Sequence, residues 1–141
     1  MDDLQKAIQL LDAEGYTCVL CRDDIIYTSR HRGVRPLMDL LGQDLEGFCA
    51  ADKVVGRATA LLYCLLKVRR LHSHIISDGA LDVLQAHGIA VSWDTRVPFI
   101  VNREGNGRCP MELATQDIHD PALAPDAIRK KLKELTKEQT A

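Results

Sequence analysis

The segment from Leu71 to Trp93 constrains the architecture more than any other part of the chain. Leu71 to Ile76 is strand-like, Asp78 to Ala86 has helical spacing with Gly88 just past its end, and Ile89 to Trp93 is strand-like again. That is a βαβ unit, and it requires a sheet with a helix laid on it. Upstream, Asp2 and Asp3 open a helix whose apolar positions Leu4, Ala7, Ile8, Leu10 and Leu11 recur at helical spacing until Gly15. Tyr16 to Cys21 and Ile25 to Ser29 read as two strands of a hairpin joined through Arg22-Asp23-Asp24. Val34 to Leu41 predicts a short helix ended by Gly42. The stretch from about Asp52 to Val68, apolar nearly all round, predicts the main buried helix, with Gly56, Ala58 and Ala60 keeping its contacts close. Val97 to Val101 predicts an extended segment that Pro98 confines to an edge or a strand start. A helix from Cys109 to about Ile118 follows, then a Pro-marked joint from Asp120 to Pro125 and a final helix from Asp126 to about Lys137. Two antiparallel strands followed by alternating helices and strands predict an α/β fold, a mixed sheet covered by helices in three layers.

At 141 residues the chain is expected to form one domain, residues 1–141, large enough to remove roughly 68–70% of its unfolded surface from water. With 18 basic and 20 acidic residues the formal charge is -2, which gives no global attraction to nucleic acid or anionic lipid. The longest apolar run, around Val54 to Val68, is interrupted by Gly56, Arg57, Thr59 and Lys67 and is too short to span a bilayer. No Arg-led apolar leader opens the sequence, so a cytoplasmic location is expected. The five cysteines are odd in number and lie among apolar neighbours, which suits reduced thiols.

The stretch Phe99 to Glu112 carries the strongest functional signal, because it runs from an apolar strand through a two-glycine loop into a helix start. Pro110 suits the first helical position, making Cys109 the N-cap and placing Glu112 where it can reach back to the cap's own N–H. Gly105 and Gly107 allow close backbone approach, and the helix start favours a negative group. Cys109 is also a candidate thiolate, since a helix N-terminus and Arg108 both stabilise that form, although no His stands near it in sequence.

Lys53 and Arg57, one helical turn apart at the predicted start of the buried helix, oppose its dipole and call for an anion or an acidic partner. The basic cluster from Arg30 to Arg35 lacks aromatic residues, so a stacking platform for nucleic acid is not expected, and its role is left open. Arg129, Lys130, Lys131 and Lys133 read as a solvated helix face. Cys18 and Cys21 form a CxxC, but on a strand they point to opposite faces. His72 and His74 share one strand face without a third ligand at a recognisable spacing, so hydrogen-bonded histidines are expected there rather than a metal.

The blocks Gly15-Tyr16-Thr17, Thr28 to Leu37, Ala51 to Ala58, Asp94 to Pro98 and Gly105 to Ala114 resemble an uncharacterised prokaryotic family, a domain of unknown function whose members have a cytidine-deaminase-like fold. The likeness runs from Gly15 to Thr115 and implies that fold without an established activity. Working deaminases of that superfamily place a His/Cys-Ala-Glu motif at one helix start and a Pro-Cys-x-x-Cys motif at the next. The corresponding residues here are Cys49-Ala50-Ala51-Asp52 and Ile76-Ser77-Asp78-Gly79-Ala80, in which at most Cys49 could hold zinc. The resemblance therefore implies no metal, no cofactor and no zinc-hydrolytic chemistry. It does imply a polar cleft combining Asp52, Lys53, Ser77 and the loop from Asn102 to Cys109.

The expected function is a binding module for a small anionic or nucleotide-like ligand. Lys53, Arg57 and Arg103 supply charge, Gly105 and Gly107 supply room, and the helix from Cys109 to Glu112 supplies N–H donors. Two other classes remain open. One is an enzyme with Cys109 as nucleophile or redox thiol and Asp52 as its partner, and the other is a structural or interaction domain, for instance a homodimer.

Overall fold

The computed structural model describes residues 1–140, with side chains through Lys137. Helix α1 (Asp3–Glu14) starts with a closed capping box: Gln5 N donates to the Asp2 carboxylate, and Asp2 N donates to the Gln5 side chain. It stops at Gly15, whose φ of +70° is the left-handed conformation that glycine adopts without strain. Strands β1 (Cys18–Arg22) and β2 (Ile25–Ser29) form the hairpin. Next come α2 (Arg35–Asp39), β3 (Cys49–Val55), α3 (Arg57–Leu65), β4 (Arg70–Ser77), α4 (Asp78–Ala86) and β5 (Ala90–Val97). The chain continues through α5 (Pro110–Thr115) and a 3₁₀ turn (Pro121–Leu123) into α6 (Ala124–Thr140).

The five strands form one mixed sheet in the order β2-β1-β3-β4-β5. β1 is antiparallel to both β2 and β3, whereas β3, β4 and β5 run parallel, so the expected βαβ unit is present. Alternate residues of β1 and β3 serve two separate apolar clusters. Val19, Cys21 and Ala51 pack with Ala7 and Leu11 of α1, while Cys18, Leu20 and Ala50 join a larger core with Leu61, Leu62, Leu81, Leu84 and Ile128. The two cysteines of the CxxC thus lie in different clusters, as expected for a strand.

The predicted helix from Asp52 to Val68 is corrected: the first part, through Val55, is the central strand β3, and only Arg57–Leu65 is helical. The reason lies in burial. β3 is flanked by β1 and β4 and packed on both faces, so Cys49, Ala50 and Ala51 are all fully buried, and its pattern lacks the alternation that distinguishes a strand from a buried helix. Consequently Lys53 and Arg57 are not one helical turn apart. Val97 to Val101 differs too. β5 itself runs to Val97, and beyond it only Val101 pairs, in a single bridge to Arg108. The polar run Asp94-Thr95-Arg96 remains strand because β5 is an edge with exposed side chains. Helix α5 stops at Thr115, short of Ile118, where Arg57 takes up the carbonyls of both residues.

Candidate functional site

The parallel strands β3, β4 and β5 end side by side, and their chains leave at Gly56, Ser77 and Pro98. Helices α3 and α4 begin there. Ser77 is buried and caps α4 by accepting from Ala80 N at 3.2 Å. Arg57, the first residue of α3, is only 7% exposed, and its guanidinium is spent on the protein itself. It donates to the carbonyls of Thr115 (2.9 Å), Ile118 (2.6 Å) and Gly79 (3.1 Å), and it lies 3.2 Å from His119 Nδ1. One side chain therefore joins the starts of α3 and α4 to the end of α5.

Glu112 does not reach back to Cys109. Its Oε1 lies 3.4 Å from the backbone N–H of Arg57, at the start of α3 rather than of its own helix. The expected capping box is absent because Cys109 N already donates to Ile100 O at 2.8 Å, and the Cys109 side chain makes no cap bond. A β-carbon on Gly56 would stand 2.8 Å from Glu112 Oε1, so the glycine is what lets the carboxylate approach. Between these groups lies a cavity of about 150 Å³, lined by Arg57, Gly79, Phe99, Arg108, Glu112 and Gln116 among others. The guanidinium of Arg108 stacks over the Phe99 ring at 4.7 Å from its centroid.

The glycine loop is built inward. Asn102 N donates to Gly107 O, Gly105 N to Asn102 O and Asn106 N to Asn102 Oδ1, while Asn102 Nδ2 donates to Asn106 Oδ1. Gly105 adopts φ +73°, which the tight reversal requires. Arg103 is exposed at the loop tip, and Cys109 is half-buried. Lys53 is exposed on β3 and by alternation faces away from Asp52. Of the residues expected to share one cleft, the fold brings together Arg57, Ser77 and Glu112 around the strand ends and leaves Lys53 and Arg103 apart.

Asp52 forms a different, buried centre. Tyr63 OH donates to Asp52 Oδ2 at 2.6 Å, Val54 N donates to Oδ1 at 3.2 Å, and Cys18 Sγ lies 3.3 Å from Tyr63 OH. Burial pushes the Asp52 carboxyl up to about 7 even though these hydrogen bonds favour its charged form. Burial also raises the Cys18 thiol and the Tyr63 phenol far above their ordinary ranges. Cys18 lines a second cavity of about 190 Å³ between the hairpin and α2, together with Thr28, Ser29, His31 and Asp39.

The register of β4 and β5 also supplies what the spacing of His72 and His74 lacked. His72 pairs with Ser92 and Ser73 with Trp93, which sets Asp94 beside both imidazoles. Burial pulls the His74 pKa down, but hydrogen bonds to Asp94 and Asp12 outweigh it and hold it above the ordinary value. The bond to His74 in turn holds Asp94 low. Arg108, Phe99 and Asp94 are the residues that sequence reasoning passed over. Arg108 was visible only as a flank of Cys109, and a residue twenty positions on from His74 has no local signal at all.

This chain belongs to the TM1506 family, a domain of unknown function (DUF1893), whose family model matches residues 6–132. A solved structure, that of a DUF1893 family protein (TM1506) from Thermotoga maritima, is similar at 26% identity over 92% of this chain and 89% of that one, with a TM-score of 0.84. No curated protein matches. Among the described residues no helix is long and apolar enough to cross a membrane.

Proposed function

We propose that this chain is a binding module of three-layer, cytidine-deaminase-like architecture that takes a small anionic group in the cleft at the carboxyl ends of β3, β4 and β5. Open α/β sheets bind their ligands at strand ends of this kind, and here two helix starts converge on a cavity carrying Arg57 and Arg108 against one carboxylate. The carrying observation is the Glu112 carboxylate at the start of α3. It marks the spot as one that favours negative charge, and its 3.4 Å contact is long for a hydrogen bond, so a phosphate or carboxylate offering a closer acceptor can displace it. Deaminase zinc chemistry is left out of the proposal. The helix starts are Gly56-Arg57 and Ser77-Asp78, without Cys or His, and Cys49 is buried at the far end of β3 opposite Arg70 and Cys21.

Thermal-shift assays and calorimetry with inorganic phosphate and nucleoside monophosphates test this reading on wild type, Arg108→Ala and Glu112→Gln. At least one anion should stabilise the wild type. Arg108→Ala should abolish the response, and Glu112→Gln, which removes the competing charge, should enlarge it. An unresponsive wild type, or an Arg108→Ala variant that responds as the wild type does, rejects the proposal.

A further inference from the structure

On the sheet face that α1 covers, we propose that His72, His74 and Asp94 form a divalent-metal site suited to Zn²⁺, with Ser92 and Asp12 orienting the two imidazoles. The donor atoms of these three side chains already converge, all within 4.8 Å of one another. His72 Nε2 lies 3.4 Å from Asp94 Oδ1, and His74 Nδ1 lies 2.5 Å from Asp94 Oδ2. Tetrahedral ligands about 2.0–2.1 Å from zinc stand roughly 3.4 Å apart, so a small rotation of the exposed Asp94 side chain is enough to admit the ion. The sheet makes this arrangement rigid. His72 and His74 are two apart on β4 and share a face, and the parallel neighbour β5 sets the aspartate across from them.

The nitrogens turned away from that centre are each held. His72 Nδ1 is 2.8 Å from Ser92 Oγ, and His74 Nε2 is 2.7 Å from Asp12 Oδ1 on α1. An imidazole whose outer nitrogen is held by a carboxylate or hydroxyl is the pattern of metal-bound histidine, in which the outer contact fixes tautomer and ring orientation. The donor count agrees. Both ring nitrogens of His74 face carboxylates, so a neutral ring with its proton toward Asp12 aims a bare lone pair at Asp94. A proton on that nitrogen or a metal ion offsets the charge there, and for a metal ion His72 Nε2 supplies a third donor. Two imidazoles and one carboxylate leave at least one coordination position for water or for an oxygen of a bound ligand, which is the make-up of open zinc sites rather than closed structural ones. The site does not depend on the anion cleft, which uses none of these residues.

The test uses untagged, chelator-treated protein titrated with Zn²⁺ in the calorimeter and with Co²⁺ in the visible spectrum. One ion per chain is expected. Asp94→Asn and His72→Gln should each weaken binding at least 100-fold, and Asp12→Asn by about 10- to 100-fold, the usual effect of losing an outer partner. Asp94 and Asp12 are more than half exposed at 57% and 55%, so their variants decide the matter should His72→Gln fail to fold. Absence of saturable uptake, uptake unchanged in Asp94→Asn, or thiolate charge-transfer bands showing Co²⁺ on a cysteine would each overturn the proposal.

Discussion

Replacing Asp52 by Asn should make the protein more stable at neutral pH. Asp52 is an unusual carboxylate: it is buried, forms no ion pair among the described residues, and accepts from Tyr63 OH and Val54 N. Desolvation raises its pKa from 3.8 to about 7 in the folded state. Between those values the unfolded chain has released this proton and the folded chain has kept it. Stability therefore falls as pH rises from about 4, and the loss is complete once the folded carboxyl has ionised near 7. At 1.36 kcal/mol per pKa unit the ceiling on that loss is about 4 kcal/mol. An asparagine keeps the volume and carries no charge to desolvate. Its oxygen still accepts from Val54 N, and its amide donates to a rotated Tyr63 hydroxyl, which then donates to Cys18 Sγ at the present spacing. Urea denaturation of both proteins at fixed ionic strength from pH 4.5 to 8 reads the effect, because titrations not coupled to Asp52 cancel in the difference. At pH 4.5, already above the unfolded value of 3.8, the variant should lead by about 1 kcal/mol. The variant should gain steadily to a plateau of up to about 4 kcal/mol, which for a domain of this size is of the order of 10 °C in Tm. A difference that stays flat across the range, or a variant less stable at pH 8, would show that the carboxylate is solvated or paired and would refute the argument.

Arg57→Ala should cost about 3–5 kcal/mol in urea denaturation, since it strands the carbonyls of Thr115, Ile118 and Gly79, and Arg57→Lys should recover only part because one ammonium cannot span all three. Equal stability of wild type and Arg57→Ala would contradict the joining role. Gly56→Ala should destabilise by about 1–2 kcal/mol through its contacts with Glu112 and Ile100, and the cost should shrink in a Glu112→Ala background; additive effects in that double-mutant cycle would place the strain elsewhere. Iodoacetamide at pH 8 should label native Cys64, which is half-buried, far more slowly than in urea, because desolvation pushes its thiol up to about 12; equally rapid native labelling by mass spectrometry would contradict the raised thiol.

What the sequence made legible, and what it hid, follows from the range of the forces involved. Helix α1, the hairpin and the βαβ unit were readable because their signals are local: the Asp2 cap, Gly15 in its left-handed conformation, and the period of apolar residues. β3 was not, because a strand enclosed by two others and by helices has no polar face to mark its period. Misreading it also misplaced the chemistry. Lys53 and Arg57 looked like neighbours on a helix, but the strand turns Lys53 outward while Gly56 carries Arg57 into a buried junction. The Glu112 contact was likewise half visible, since the residue type and its place in a first helical turn were right and only the helix it serves was wrong. A carboxylate one turn into a helix can satisfy any N–H within its reach, and sequence spacing favours its own helix because other helices leave no mark on local spacing. The same reasoning governs His72, His74 and Asp94. A pair two residues apart on a strand announces one face of a site, whereas the partner on the next parallel strand lies a whole crossover away. For parallel sheets, then, a same-face pair of donors should be extended by asking which residues the following strand sets beside them. Applied here, the step from His72 and His74 to Ser92 and Asp94 needs only the β4 to β5 register.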